Sequence, residues 1–572
     1  MELERDFGKL LILITKYIKH KFSRYLRVTH HYEIVQTKYG RVQGRQCKNI
    51  YNEFGLYYAF EGIPYAKPPL GKLRFRAPQP PEPWHGVLDC FNCKPKPVQI
   101  NLKTLWCEGS EDCLYLNVYT KKLQSTTPLP VMVLIFGGGF QVGFYDYSIY
   151  APDNLMQKDV VFVSFNYRLG LFGFLCFDDP DLQIPGNAGL KDQAMALRWI
   201  KKNIHKFNGD PENITVFGQS AGGACIHYMM LSPRLRGLFN KAIIQSGSAF
   251  GSWTMTDRHD WGYKYARVLG YGGSRKYKQV YEYLKQQNSR RLGSYYHSLL
   301  TKELVLDHVI LFFVPVVEPY ITEDCIIAKP LMESLASVWG NEIPLIIGGT
   351  SSEGLFSHAV VKKHPYIITE LGDFVNFLPP DLRCLHSDQD LKEFGAKLRQ
   401  IYFNDKQPNV AEDKLTFLQM SSHKMFWHGF LRTMRARRKY GSGSAATYCY
   451  RFDYDSEMCN PYRSLCCDSS VKQGVCHGED MSYLFYNFMN GKLPVGGKDF
   501  RVMQNLVSMW YSFALTSNPN CKEIAPVQWE EVKDFTRHLR CLNISEPIEC
   551  IELPEWDKLR FWDEMYGEEN LV

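Results

Sequence analysis

The amino-acid sequence predicts an α/β protein built on a large, mostly parallel sheet flanked by helices. Short apolar runs rich in β-branched residues alternate with segments whose apolar residues recur every three or four positions. A chain that alternates strands and helices in this order folds into a parallel sheet with helices on both faces.

The elements of the first half follow one another in that order. Strand-like runs have the length and composition of buried strands, and the helical segments between them are amphipathic or apolar. In chain order, these are strands at 131–136 (VMVLIF) and 160–165 (VVFVSF), a helix from Leu190 to Phe207, a strand at 214–217 (ITVF), a helix at about 224–231 and a strand at 242–244 (AII).

Length and composition indicate one large folded domain. The chain has 572 residues, of which 45% are apolar and 22% charged, which excludes a disordered chain or a coiled coil. The longest apolar run, Val309 to Val317, is too short to span a membrane. No linker-like stretch follows residue 28, so we expect an N-terminal segment, 1–28, and a single domain, 29–572.

Charge and cysteine usage exclude several kinds of site. Lys and Arg total 67 against 60 Asp and Glu, and the net +7 is scattered, which argues against a nucleic-acid partner. Cys90 and Cys93 form a CxxC without a second ligand pair, so neither a metal nor a cofactor is expected. The N-terminus lacks the pattern of a signal peptide, which predicts an intracellular protein with reduced thiols rather than a secreted one.

Residues 1–28 predict a basic amphipathic helix with two open interpretations. The helix either lies in a membrane interface, such as the surface of the endoplasmic reticulum or of lipid droplets, or packs on the domain that follows. In either case we expect it to govern location rather than chemistry. The apolar positions are Phe7, Leu10, Leu11, Ile14, Ile18 and Phe22, and the lysines are Lys9, Lys16, Lys19 and Lys21.

The turn between the strand at 214–217 and the next helix carries a GxSxG element. It reads Gly218-Gln219-Ser220-Ala221-Gly222. A nucleophilic serine in an α/β-hydrolase fold needs such a strained turn, in which only small residues can flank the serine. The pattern therefore predicts Ser220 as a nucleophile for acyl transfer.

A run of three glycines, 137–139, directly follows the strand at 131–136. Glycines in this place can direct successive N–H groups to one point, as an oxyanion hole requires. We therefore expect the amides of Gly138, Gly139 and Ala221 to stabilise the negative charge of a tetrahedral intermediate.

These residues resemble the type-B carboxylesterase and cholinesterase family, and among its members the intracellular α-type carboxylesterases of insects. The resemblance covers nearly the whole chain and implies an α/β-hydrolase fold with insertions covering a gorge-like active site. The matching segments are 60–65 (FEGIPY), 111–117 (EDCLYLN), 137–140 (GGGF), 186–190 (GNAGL), 217–223 (FGQSAGG), 349–356 (GTSSEGLF), 450–456 (YRFDYDS) and 474–480 (GVCHGED).

The resemblance also implies the rest of a catalytic triad. His477, in the GVCHGED loop, matches the family's catalytic histidine, whereas His227 in the elbow helix is interpreted as structural. Glu353 matches the family's acid, which orients the histidine. Gln219 and Ser246 are expected beside the triad. The family usually has glutamate at the position of Gln219 and often histidine at that of Phe136, so this chain departs from the pattern there.

The expected function is hydrolysis of small hydrophobic carboxylic esters through an acyl-enzyme, in xenobiotic or lipid ester metabolism, with organophosphates as covalent inhibitors. Trp253 and Phe356 match positions that line the substrate pocket. The GQSAG element also resembles insect juvenile hormone esterases, which leaves a hormone esterase as an alternative. A third alternative is a catalytically silent adhesion member of the same fold, which the complete triad disfavours.

Overall fold

The computed structural model of the protein describes residues 2–101, 104, 106–256, 260–294, 296–306, 311–533 and 537–570. Residues 309 and 310 of the longest apolar run lie outside the described residues. The strands are β1 Val28–Gln36, β2 Arg41–Lys48, β3 Leu56–Pro64, β4 Val87–Asp89, β5 Gln99–Ile100, β6 Cys107–Glu108, β7 Tyr115–Thr120, β8 Leu129–Ile135, β9 Val161–Phe165, β10 Gly209–Gln219, β11 Lys241–Gln245, β12 Leu345–Thr350, β13 Thr447–Phe452, β14 Arg540–Ile544 and β15 Glu549–Glu552.

The α-helices of the described residues range from single turns to 26 residues. They are α1 Glu2–Arg27, α2 Tyr147–Tyr150, α3 Gly170–Phe174, α4 Ala188–Asn203, α5 Ala221–Leu231, α6 Trp261–Val268, α7 Tyr277–Gln286, α8 Ser289–Ser294, α9 Lys302–Leu306, α10 Leu331–Ser334, α11 His358–Lys363, α12 Tyr366–Thr369, α13 Pro380–Leu385, α14 Asp388–Phe403, α15 Val410–Ser422, α16 His428–Tyr440, α17 Pro461–Cys466, α18 Met481–Leu484, α19 Lys498–Thr516 and α20 Trp556–Asn570.

Thirteen of the described strands form one sheet with a parallel centre. Its order is β1-β2-β3-β7-β9-β8-β10-β11-β12-β13-β14-β15, with β4 paired to β2. The strands from β9 to β14 in this order are parallel, and antiparallel strands extend the sheet at both ends. Every residue of β8, β9, β11 and β12 is buried, because packing covers both faces. The α/β prediction is therefore confirmed.

The elements predicted in the first half are present, with shifted bounds. The helix predicted from residue 190 is α4, which is followed by a 3-10 turn at Ile204–Phe207. The helix predicted from about residue 224 begins earlier, at Ala221, directly after Ser220. The first turn of α5 requires glycine at position 222, because a Cβ there would lie 2.0 Å from the carbonyl oxygen of Ile135 at the end of β8.

Helix α1 packs on the domain through ion pairs on one face. The guanidinium of Arg24 pairs with the fully buried carboxylate of Glu61. Arg27 pairs with the buried carboxylate of Asp153 at 2.6 Å. Both carboxylates lie inside the domain, so the end of this helix supplies positive charge that compensates them, together with Arg45 of β2 for Glu61.

The opposite face of α1 is apolar and exposed. Ile18 and Phe22 are 60% and 61% exposed, while the His20 ring on the inner face stacks on Tyr486 with ring centroids 4.6 Å apart. The side chains of residues 1–10, including Phe7, Lys9 and Leu10, lie outside the described residues. Within the described residues, no helix has both the length and the hydropathy that crossing a bilayer requires. Further exposed apolar side chains of α1 are Leu11, Ile12, Ile14, Tyr17, Tyr25 and Leu26.

Candidate active site

Ser220 occupies a strained turn between β10 and α5. Its backbone has φ +59° and ψ −127°, and only 7% of the residue is exposed. The Ser220 N–H donates to the carbonyl of Gln245 on the neighbouring β11 at 2.8 Å. A side chain on Gly218 would lie 2.6 Å from the carbonyl of Ile135, so the turn requires glycine there. This geometry has the form of the predicted nucleophile elbow at the carboxyl edge of the sheet.

Glu353 and His477 come from two other loops at the same edge and meet beside this turn. Glu353 follows β12, and its Oε2 lies 2.5 Å from Nδ1 of His477. The other oxygen, Oε1, accepts from the Ser246 hydroxyl at 2.6 Å and from the Thr350 N–H at 2.8 Å. Because both oxygens are held, the carboxylate fixes the orientation of the imidazole and favours the tautomer that carries a proton on Nδ1.

The free nitrogen of His477 faces the elbow through Gln219. Nε2 of the Gln219 amide lies 3.0 Å from Nε2 of His477. Within the described residues, the Ser220 hydroxyl has no hydrogen-bond partner of its own. The structure thus brings four predicted residues together with Ser246, and it places Gln219 in direct contact with the imidazole.

The glycine loop that follows β8 lies against the elbow. A Cβ on Gly137 would come within 2.4 Å of the Gln219 carbonyl oxygen and 2.8 Å of the Ser220 Cβ. Gly138 and Gly139 have φ of +115° and +60°, which glycine adopts readily. Among the described residues, the N–H groups of Gly138, Gly139 and Ala221 donate to no backbone carbonyl in a turn or loop. Ala221 is the first residue of α5, where helix amides lack an intrahelical partner.

An aromatic cluster covers the outer side of His477. Phe356 and Phe426 lie 5.4 Å and 4.7 Å from the imidazole between ring centroids. Trp253 packs 5.9 Å from both Phe426 and Phe140, and its indole N–H donates to the carbonyl of Met425. The two predicted pocket residues, Trp253 and Phe356, therefore belong to one apolar wall beside the imidazole.

Sequence reasoning missed Phe426, which joins the two halves of this wall. The residue lies in a π turn, His423–Trp427, between α15 and α16. The extra residue of such a turn rotates the following side chains relative to a regular helix, and π turns often occur at functional sites. No feature of the segment HKMFW indicates the extra residue, so the sequence held no usable signal.

A buried polar network lies behind the histidine loop. Oδ2 of Asp480 accepts from the Gln245 amide at 2.8 Å and from the Tyr450 hydroxyl at 2.9 Å. Burial raises the pKa of the Asp480 carboxyl, and burial also raises the pKa of neighbouring Glu479 to about 8. Asp480 ties the histidine loop to β11 and β13, and Glu479 accepts from the backbone N–H of Arg463 in α17; the sequence analysis did not single out either residue.

Two further predicted residues are buried by packing. Phe136 stacks on Tyr167 with ring centroids 4.5 Å apart. His227 lies inside α5, where its Nδ1 is 3.2 Å from the Ser248 hydroxyl and burial lowers its pKa to about 3. In the described residues, no group of His, Cys, Asp and Glu side chains could hold a metal ion.

Comparisons with known proteins identify the family. Residues 31–562 match the model of the carboxylesterase family. Esterase B1 of Culex pipiens is 39% identical over 94% of this chain and 98% of its own length. A juvenile hormone esterase of Tribolium castaneum is 32% identical over 90% of the chain and 88% of its own.

A solved structure agrees with these sequence matches. The crystal structure of a juvenile hormone esterase from Manduca sexta, with OTFP covalently attached, superposes with a TM-score of 0.81. It has 28% sequence identity and covers 94% of this chain and 100% of its own. The chain therefore belongs to the carboxylesterase family and is a serine carboxylic ester hydrolase with an α/β-hydrolase fold.

Proposed function

We propose that this enzyme hydrolyses hydrophobic carboxylic esters with Ser220, His477 and Glu353 as its catalytic triad. The observation that carries the proposal is the meeting of three loops from β10, β12 and the segment after β13 at one sheet edge. There the Glu353 carboxylate orients the imidazole of His477, and the strained turn of Ser220 lies next to it. This is the arrangement that serine hydrolases of this fold use.

In the first half of the reaction, the Ser220 hydroxyl attacks the ester carbonyl carbon. Nε2 of His477 takes the hydroxyl proton, and the new imidazolium is stabilised by Glu353 through Nδ1. The carbonyl oxygen becomes an oxyanion and accepts hydrogen bonds from the amides of Gly138, Gly139 and Ala221. When the intermediate collapses, the imidazolium returns its proton to the leaving alcohol, and the acyl group stays on Ser220.

In the second half, water replaces the alcohol. Nε2 of His477 takes a proton from the water while its oxygen attacks the acyl carbon, and the oxyanion forms in the same place. Collapse of this intermediate releases the carboxylic acid and returns the proton to Ser220.

The aromatic wall supports an apolar substrate. The rings of Trp253, Phe356 and Phe426 pack on one another and beside the imidazole, so an apolar acyl or alcohol group would gain buried area there. This favours xenobiotic or lipid esters of moderate size. An organophosphate would react with Ser220 in the same way and remain as a phosphoryl ester, which would sequester it.

A juvenile hormone esterase is the second candidate. It is supported by the GQSAG turn and by the hormone esterases of Tribolium castaneum and Manduca sexta among the matches. Comparing kcat/KM for a methyl ester of a long branched acid with kcat/KM for p-nitrophenyl esters of graded acyl length would separate the two. A preference for the methyl ester of more than tenfold favours the hormone esterase.

We also propose that α1 holds the enzyme on the surface of an intracellular membrane. The support is the exposed row that includes Ile18 and Phe22, on the face opposite to Arg24 and Arg27. Such a row can enter the interface of a bilayer without spanning it, while the exposed Lys19 of the same helix favours anionic headgroups.

The test of the triad is covalent labelling. A fluorophosphonate should label Ser220, as peptide mass mapping reveals, and Ser220→Ala should lower kcat by about 10⁴-fold or more. His477→Ala should cause a similar loss because the two residues act as a unit. His227→Gln is the matched control and should keep most of the turnover. Label on another residue, or undiminished turnover of Ser220→Ala, would refute the proposed triad.

A further inference from the structure

The amide of Gln219 occupies the nitrogen that the catalytic cycle needs. Its Nε2 lies 3.0 Å from Nε2 of His477, which is the atom that would accept the proton of Ser220. The opposite nitrogen, Nδ1, is already committed to Glu353 at 2.5 Å. In the proposed mechanism the same lone pair must therefore serve two donors, the amide of Gln219 and the hydroxyl of Ser220.

The chemistry of the pair fixes which end of the amide faces the imidazole. With its proton on Nδ1, the imidazole presents a lone pair at Nε2, and the oxygen of an amide would be repelled by it. The position of the amide agrees with this. Its nitrogen lies 3.3 Å from where a Cβ on Gly478 would be, on the histidine loop, while its oxygen lies 3.0 Å from the corresponding point on Gly137. The glycine at each position leaves room for the amide.

The other groups around His477 do not compete for Nε2. The Glu353 carboxylate faces Nδ1, and the rings of Phe356 and Phe426 cover the imidazole from the outside. Of the nearby acids on its own loop, Glu479 accepts from the Arg463 N–H. Asp480 accepts from Gln245 and Tyr450 and carries a pKa raised by burial. The Tyr462 ring packs near Gly478 and the Cys476 thiol is buried beside it.

We propose that Gln219 is a positioning residue that donates a hydrogen bond to Nε2 of His477 in the free enzyme and so holds the imidazole in place for Ser220. The inference rests on the proposed triad. In each turnover the amide must give way before Ser220 can donate its proton to Nε2. After that transfer Nε2 carries a proton, and the amide can turn its oxygen toward it. Glutamine can therefore partner both protonation states, whereas a carboxylate can only accept and favours the protonated one.

The experiment is the pH dependence of kcat/KM in two variants, since kcat/KM reports groups of the free enzyme. Gln219→Met keeps the size of the side chain but has no N–H donor, so the acid limb of the profile should move to higher pH by about half a unit. Gln219→Glu adds an acceptor with a negative charge and should move the limb further, by about one unit or more. On the alkaline plateau, fluorophosphonate should label Ser220 about fivefold faster in the Gln219→Met variant than in the parent. The reason is that the amide of Gln219 no longer competes with Ser220 for Nε2 of His477.

The control adds the same charge away from the site. Gln157 donates to the carbonyl of Asn154 and the sulfur of Met503, so Gln157→Glu should leave the acid limb in place. Active-site titration with the fluorophosphonate counts folded enzyme in each preparation, which separates poor folding from altered chemistry.

Several outcomes overturn the inference. If the acid limb of Gln219→Met stays in place or moves to lower pH, the amide does not donate to Nε2. If the acid limb of Gln219→Glu stays in place, the side chain at position 219 does not contact Nε2 of His477, which also overturns the inference. If the variants differ from the parent only in the height of the profile, Gln219 has a packing role alone. Loss of labelling at Ser220 in the parent enzyme would instead refute the triad.

Discussion

Gly138 and Gly139 are neighbours in the glycine loop, yet they have very different space around them. A Cβ on Gly138 would lie 2.0 Å from the carbonyl oxygen of Val142, and the backbone there has φ +115°. On Gly139 the Cβ would meet only the end of the Leu311 side chain, at 3.4 Å, with φ +60°. The first position therefore excludes any side chain, while the second tolerates a small one with some strain.

We predict that Gly138→Ala lowers kcat/KM for carboxylic esters by about 100-fold or more, because it displaces an oxyanion donor. Gly139→Ala, the matched variant, should lose about tenfold or less, since its strain is on the order of 1 kcal/mol. Steady-state kinetics with circular dichroism checks both. If Gly138→Ala keeps parental turnover with an intact fold, the loop is not the oxyanion hole.

At this scale the sequence predicted some parts of the site and missed others. Ser220 and the glycine loop were predicted because their local turns follow recognisable strands. Glu353 and His477 come together only through the sheet order, so they needed the resemblance to a family. The contact of Gln219 with His477 and the position of Phe426 depend on side-chain geometry that no residue pattern encodes.

Among the elements, α1 combines a docked face with an exposed one. Truncation of residues 1–28 would remove apolar area, the cationic partner Arg27 of Asp153 and one of the two cationic partners of Glu61, and loss of a partner from a buried ion pair is strongly destabilising. Substitution on the exposed face tests the membrane proposal without this cost.

We predict that Ile18→Gln together with Phe22→Gln lowers binding to vesicles of phosphatidylcholine and phosphatidylserine by about tenfold or more, because two apolar side chains no longer enter the interface. Flotation of full-length protein measures this, and kcat/KM should be unchanged. Val360→Gln with Leu415→Gln removes comparably exposed apolar groups on α11 and α15 and serves as the control. Equal binding of both double variants would show that α1 does not contact the lipid.

For the whole molecule, buried histidines contribute to the response to acid. Burial lowers the pKa of His227 and of His423 to about 3, while the unfolded chain keeps a value near 6.5. Well above pH 6.5 the two histidines are neutral in both the folded and the unfolded chain, so their contribution to the free energy of unfolding is fully present. As the pH falls below 6.5 the unfolded chain binds protons that the folded chain excludes, so stability is lost progressively toward pH 3.

We predict that the apparent Tm falls between pH 7 and pH 5, with each of these histidines contributing about 2 kcal/mol to the loss. Differential scanning calorimetry of His227→Gln tests this, because glutamine keeps an acceptor for the Ala249 N–H but does not titrate. The fall in Tm should be smaller in the variant than in the parent. An equal fall would mean that His227 is not neutral in the folded protein.

The arrangement of strands and helices in the whole molecule was largely predictable from the sequence. Continuous apolar strands and the helices between them indicated the parallel centre of the sheet, from β8 to β11. The antiparallel strands at the two ends were not predicted, because partly exposed strands such as β1 and β15 have no continuous apolar run. Their pairing depends on contacts between distant segments.

The docking of α1 also sets an order of events during synthesis of the chain. Lys16 donates to the carbonyl of Met489, a residue 473 positions later, and His20 stacks on Tyr486 in the same late segment. At about 5 to 20 residues per second, about 25 to 95 s pass between the synthesis of Lys16 and that of Met489. For that time the part of its inner face that contacts Tyr486 and Met489 has no partner, and its outer face is exposed. A membrane or a chaperone can therefore reach the helix before the finished domain does.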